Sequence, residues 1–296
     1  MKTTFLPLLL AVAATACQPA APTTPPAAVE ADVPADVSAA APVATAEQPL
    51  PTLFGPADTL TAPMRAVLRQ HDLAKLWQSA TPDRQTYPVL KGFFGPDHYR
   101  FELVFSDVRR DAHDPARYHV RGKCHYRKNV RPFSGSIIIR TVDELERGDF
   151  FLNGEGQNLP DTAAARTYTA VAQVRLREEE SENSGTFEGK AVLDFYAVAA
   201  PEKVDYVTSA GMGLEPDRPA RGAGLLLRGN RRNISTRQVK PFVVSNNVFA
   251  VSPEVYEDFE VGERGEEVNP KYARLGWNQD WENDEWWADS PKPVLL

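Results

Sequence analysis

The stretch YHVRGKCHYR, residues 118–127, alternates with a period of two. Tyr118, Val120, Gly122, Cys124 and Tyr126 fall on one side; His119, Arg121, Lys123, His125 and Arg127 fall on the other. Successive side chains of a β-strand point to opposite faces, so the segment reads as a half-buried strand with one apolar and one solvated face. The turn KNVRP (128–132) leads into FSGSIIIRTV (133–142), and 117–142 reads as a hairpin.

The same period extends in both directions. In HYRFELVFS (98–106), Tyr99, Phe101, Leu103 and Phe105 share a face. TYTAVAQVRL (167–176) places Tyr168, Ala170, Ala172, Val174 and Leu176 inward, and GTFEGKAVLDFY (185–196) does so with Phe187, Gly189, Ala191, Leu193 and Phe195. EESENSG (179–185) is the polar turn between them. Further strands are expected at 203–208, 224–230 and 235–245. About eight or nine short strands, mostly sequence-adjacent, predict a mainly β fold: an antiparallel meander closing as a barrel or sandwich. One N-terminal helix is expected over 62–78, where Pro63 suits a first turn, Met64, Val67, Leu68 and His71 follow helical spacing, and Leu73, Leu76 and Trp77 do so too. Tyr-x-Val-x-Gly-x-Cys-x-Tyr, then a turn and Phe-x-Gly, is weakly similar to the hairpins of small lipocalin-like barrels.

The N-terminus has a different chemistry. Met1-Lys2 is followed by an apolar run, Phe5 to Ala14, far shorter than the roughly 20 residues of a membrane span. Small residues and one cysteine close it: Ala14, Thr15, Ala16, Cys17. This is the layout of a secretory signal, and the seam resembles the lipobox of bacterial lipoproteins. That resemblance implies a lipid anchor on Cys17, a partner membrane and a place in the bacterial cell envelope, at the outer membrane. Residues 18–50 hold 18 Ala or Pro in 33 positions, with no aromatic and no Lys or Arg. Such a segment buries too little apolar surface to offset its ordering entropy. The expected layout is therefore a signal peptide at 1–17, a tether at 18–57, a β-rich domain at 58–250 and an acidic, Trp-rich tail at 251–296 packed on it.

Catalytic motifs are missing from the sequence. It has no Gly-x-Ser-x-Gly elbow, no His-Glu-x-x-His, no phosphate-binding Gly-rich loop and no Cys-x-x-Cys. GMGLEP (211–216) lacks the third glycine of a dinucleotide fingerprint. DWENDE (280–285) begins like a calcium loop, but Glu285 stands where the tight turn needs glycine. Cys124 and His125 are adjacent in a strand and so point apart, which reads as a buried core thiol. His119 and His125 lie about 20 Å apart along the strand, too far to share a metal ion, and are expected as solvated surface residues. Acid pairs such as Glu178–Glu180 and Glu266–Glu267 read as solvated charged faces. No catalytic residue, cofactor or metal ligand is assigned.

Charge is unevenly spread. Residues 84–140 carry 12 Lys/Arg against 5 Asp/Glu, a net of +7; 217–240 carry 7 against 1, a net of +6; 251–296 carry 4 against 12, a net of −8. The simplest reading lays the acidic tail on the basic sheet face of the same molecule, with Trp277 and Trp281 as buried anchors. Trp286, Trp287, Arg231 and Arg232 are the candidate ligand contacts. The expected partners are an envelope protein or a glycan, not nucleic acid. The expected role is binding or structural; the alternative is a glycan- or peptidoglycan-acting hydrolase using a carboxylate pair. "VGERGEEVNPKYARLGW" (261–277) resembles a segment of uncharacterised β-rich envelope lipoproteins, a resemblance that implies no activity.

Overall fold

The alternating segments form antiparallel strands that close on themselves. The computed structural model describes residues 54–55, 58–79, 89–145, 151–152, 157–158, 165–199, 202–209, 217–256, 268–279 and 285–288. Cys17, Trp281, residues 211–216 and nearly all of 280–285 lie outside these. In chain order the strands are β1 (Leu90–Phe94), β2 (Tyr99–Arg110), β3 (Arg117–Tyr126), β4 (Asn129–Glu144), β5 (Phe151–Leu152), β6 (Gln157–Asn158), β7 (Ala165–Glu178), β8 (Gly185–Ala199), β9 (Glu202–Thr208), β10 (Leu225–Asn233) and β11 (Val239–Ser245).

Neighbours run β10-β11-β1-β2-β3-β4-β7-β8, and β8 pairs back to β10, which closes a ring. β8 is long enough to serve two partners along one edge. Its first part, Gly185–Leu193, holds β10, and Phe195–Ala199 holds β9. β5 and β6 extend the sheet beyond β9. The fold is a barrel.

The predicted inward phases line its core. Leu103, Phe105, Tyr118, Val120, Cys124, Ala170, Val174, Leu176, Phe187, Leu193, Leu225 and Val244 are all buried in one cluster. Closure demands sharp curl, and two glycines provide it at the seam. Gly189 of β8 faces Gly229 of β10, and a Cβ on Gly229 would sit 2.5 Å from the Gly189 Cα. Gly229→Ala should therefore lower stability by about 1–3 kcal/mol, as in other overpacked sites, seen as a lower melting temperature. An unchanged melting temperature would mean that the seam tolerates a side chain.

The helix expected over 62–78 is two. α1 (Ala62–Gln70) begins at Thr61, whose hydroxyl accepts from the Met64 amide, and stops at His71, which is extended at φ −121°, ψ 127°. α2 (Ala74–Trp77) restarts where Asp72 Oδ1 accepts from the Ala74 amide at 3.0 Å. The break redirects the chain so that Leu68, Leu73, Leu76 and Trp77 are all buried against the barrel core. The plug is tied down at several points. The Leu73 amide donates to Tyr118 Oη at 3.2 Å, the Tyr206 hydroxyl donates to the Leu76 carbonyl, and Arg110 donates to the carbonyls of Leu68 and His71. One end of the barrel is thereby sealed. The hairpin turn also differs from expectation: only Arg127 and Lys128 turn, with Arg127 at φ 57°, and Val130–Pro132 belong to β4.

The tail packs outside. Trp277, Tyr256, Tyr272 and Val255 are buried with Phe93 in a separate cluster. Elsewhere on the outer wall, Asp194 is 2% exposed. It accepts from Thr169 Oγ1 at 2.8 Å and from the Ala220 amide at 3.0 Å, and so holds the segment 217–224 to the barrel. Burial pushes its carboxyl up to about 6, against the Thr169 and Ala220 hydrogen bonds that favour the anion. The folded protein therefore keeps this proton between about pH 4 and 6, where the unfolded chain has lost it. Stability is greatest below this window and falls as pH rises through it, by about 3 kcal/mol. Asp194→Asn, which can still accept from one partner and donate to the other, should flatten that slope and raise stability at pH 8. Urea titrations across the window check this, and a slope equal to wild type would refute it.

Candidate functional site

The barrel end opposite the helical plug is formed by the last residues of β1, β3, β7 and β10 and the first of β2, β4, β8 and β11. It opens on a cavity of about 340 Å³. Strand alternation dictates what faces it. Phe94, Phe101, Tyr126 and Phe187 make an aromatic floor; Phe101 and Phe187 stack at 5.7 Å, and Phe94 meets Tyr126 edge-on at 4.7 Å.

Charged groups sit above the floor. Glu178 ends β7 in the inward phase and is 3% exposed. Arg231 Nη2 donates to it at 2.6 Å, and Arg131 Nη1 lies 3.7 Å away. Arg231 also donates to the Asn183 carbonyl and lies over the Phe187 ring. Arg127 and Lys240 complete the rim. The expected solvated pair Glu178–Glu180 is thus divided: Glu180 is exposed beside Arg177, while Glu178 is inside.

Cys124 faces the same interior, its Sγ donating to Glu178 Oε1 at 3.5 Å. Burial, and then the neighbouring carboxylate, push its thiol far above the ordinary range. The native protein should resist alkylation at Cys124 and label only on unfolding. Rapid labelling in native buffer would show that the thiol is accessible.

A second concavity, of about 590 Å³, lies on the outer wall. Its floor is a buried network. Arg100 Nη2 donates to Glu102 Oε1 at 3.0 Å, and His125 Nδ1 lies 3.0 Å from Glu102 Oε2. Burial works to raise the Glu102 carboxyl, but the His125 hydrogen bond and the Arg100 charge outweigh it and hold the group below its ordinary range. His125 is therefore not the solvated residue expected. The tail covers it, with the Trp286 ring 5.1 Å from its own. His119 is the exposed one, bonded to Asp111 at 2.8 Å.

The four candidate ligand contacts divide between these places. Trp286 and Trp287 are half-buried against the outer wall, where Lys123 Nζ donates to the Trp287 carbonyl at 2.9 Å. Arg231 belongs to the barrel mouth. Arg232, on the opposite face of β10, pairs in register with Val239 and Thr186. Trp277, expected to be buried, is fully so.

Comparison of the chain with protein-family models, with characterised proteins and with solved structures gave no significant match. Among the described residues, no helix is long and apolar enough to cross a membrane.

Proposed function

We propose that this chain is a lipid-anchored bacterial envelope protein whose barrel binds a small amphipathic anion at its open mouth, without catalysing a reaction on it. The supporting observation is the asymmetry of the barrel: helices seal one end, and the other presents four aromatic rings beneath a rim rich in arginine and lysine. An apolar body suits the floor, and a carboxylate or similar head suits Arg131 and Lys240. Cys17 supplies the anchor, on the strength of the residues before it. The hydrolase alternative needs two carboxylates in one cleft, about 5–10 Å apart. Among the described residues, each concavity is lined by one: Glu178 in the mouth, Glu102 outside.

Calorimetric titration with octanoate tests the binding reading. Saturable binding to the wild type is expected, weakened about tenfold by Arg131→Ala with Lys240→Ala, the loss of roughly 1.4 kcal/mol. Heat no greater than dilution would contradict it. The anchor is tested separately. Cys17→Ser should move the protein from the membrane fraction to the soluble one, and unchanged partition would remove the envelope assignment.

A further inference from the structure

The outer concavity is wider and more polar than the mouth, and the mouth ligand does not explain it. Among the described residues its lining includes Arg100, Arg127, Lys128 and Arg274 against one carboxylate, Glu102. Arg100 and Glu102 neutralise each other and are buried, so they form a rigid floor. The remaining charge is positive, from three exposed side chains: Arg127 and Lys128 at the β3–β4 turn, and Arg274 from the tail. Arg127 is held over the rings of Tyr99 and Tyr126, at 4.9 and 5.3 Å. The Arg100 amide donates to the Leu275 carbonyl and its Nη1 to the Gly276 carbonyl, so Arg274 is carried at a fixed place opposite the turn. Asn129 and Gln279 add carboxamides, and Tyr99 adds an aromatic ring.

We infer that this cleft is a second binding site, for an acidic saccharide. Cations from two sides would meet its carboxylate or phosphate groups. Carboxamides donate to and accept from hydroxyls. A volume of about 590 Å³ holds two or three sugar rings, whereas an inorganic anion would leave most of it empty. The same acidic sugar can be free or the headgroup of a glycolipid, and the site recognises what the two share.

The test uses the full chain with trigalacturonate as the free acidic sugar, vesicles containing glucuronosyl diacylglycerol as the headgroup, and maltotriose and hexaglutamate as comparisons. The wild type should bind trigalacturonate saturably and maltotriose at least about tenfold more weakly, with an affinity that falls as salt rises. Lys128→Ala with Arg274→Ala, both at exposed positions, should reduce trigalacturonate affinity at least tenfold with an unchanged melting temperature, and Lys128→Arg with Arg274→Lys should retain it. Arg131→Ala, at the mouth, should leave it unchanged, so that failure here and failure of octanoate binding are separate results. Vesicle binding lost in the double alanine variant would identify the headgroup as a source; binding of the trimer alone would identify free glycan. Absence of trigalacturonate binding, binding indifferent to Lys128 and Arg274, or stronger binding of hexaglutamate would overturn the inference.

Discussion

Replacing Trp277 by alanine is expected to lower the unfolding free energy by about 3–5 kcal/mol, the range for truncating a large buried aromatic. The indole is fully buried between Phe93, 5.4 Å away edge-on, and Tyr256, at 6.1 Å. Its Nε1 donates to the His98 carbonyl at 2.9 Å. The carbonyl partner and the ring contacts are lost together, and the cavity left behind borders the outer face of β1. Charge adds little here, because an exposed pair such as His98–Glu254, ionic only when the histidine is protonated, is worth at most about 1 kcal/mol. Trp286→Ala, at a half-buried position, should lower stability by less than about 1 kcal/mol. Urea denaturation of the two variants gives the comparison. Equal midpoints would mean that Trp277 does not anchor the tail.

Glu178→Gln should show two effects in opposite directions. Arg231, with a side chain only 14% exposed, loses the carboxylate it meets at 2.6 Å. Breaking a buried pair by removing one partner typically lowers stability by about 3–5 kcal/mol. The site borders the cavity, so water reaches it and the lower end is expected, about 3 kcal/mol. Octanoate affinity should rise at the same time, because Glu178, the one acid of the mouth among the described residues, no longer competes for Arg131 and Arg231. A variant as stable as wild type would show that Arg231 finds another partner. A weaker affinity would place the ligand's charged end away from these arginines.

The strand phases were legible residue by residue. Tyr118, Val120 and Cys124, and Ala170, Val174 and Leu176, are buried as their alternation requires. Closure itself was expected, but the pair that makes it was not legible, because β8 meets β10 across intervening chain and carries β9 on the same edge. Nor was the helix break, since the side chains of α1 and α2 keep helical spacing through His71 while the backbone does not. The mouth had a signal that was available in the sequence. Glu178 continues the inward series 168-170-172-174-176, and Arg231 continues 225-227-229; a carboxylate and an arginine in core phase at strand ends imply each other. The outer network had no such signal. Glu102 and His125 lie in the outward phase of β2 and β3, and the ring beside His125 comes from Trp286, about 160 residues further along the chain.

Under the proposed function, a small amphipathic anion binds at the open barrel mouth. Nuclear magnetic resonance mapping during an octanoate titration locates that binding. Resonances of Phe94, Phe101, Tyr126 and Phe187 should shift saturably along one binding curve, while those of Leu68, Leu73 and Trp77 at the plugged end stay in place. Shifts confined to the plugged end or scattered over the outer wall, with the four mouth rings unmoved, would contradict it.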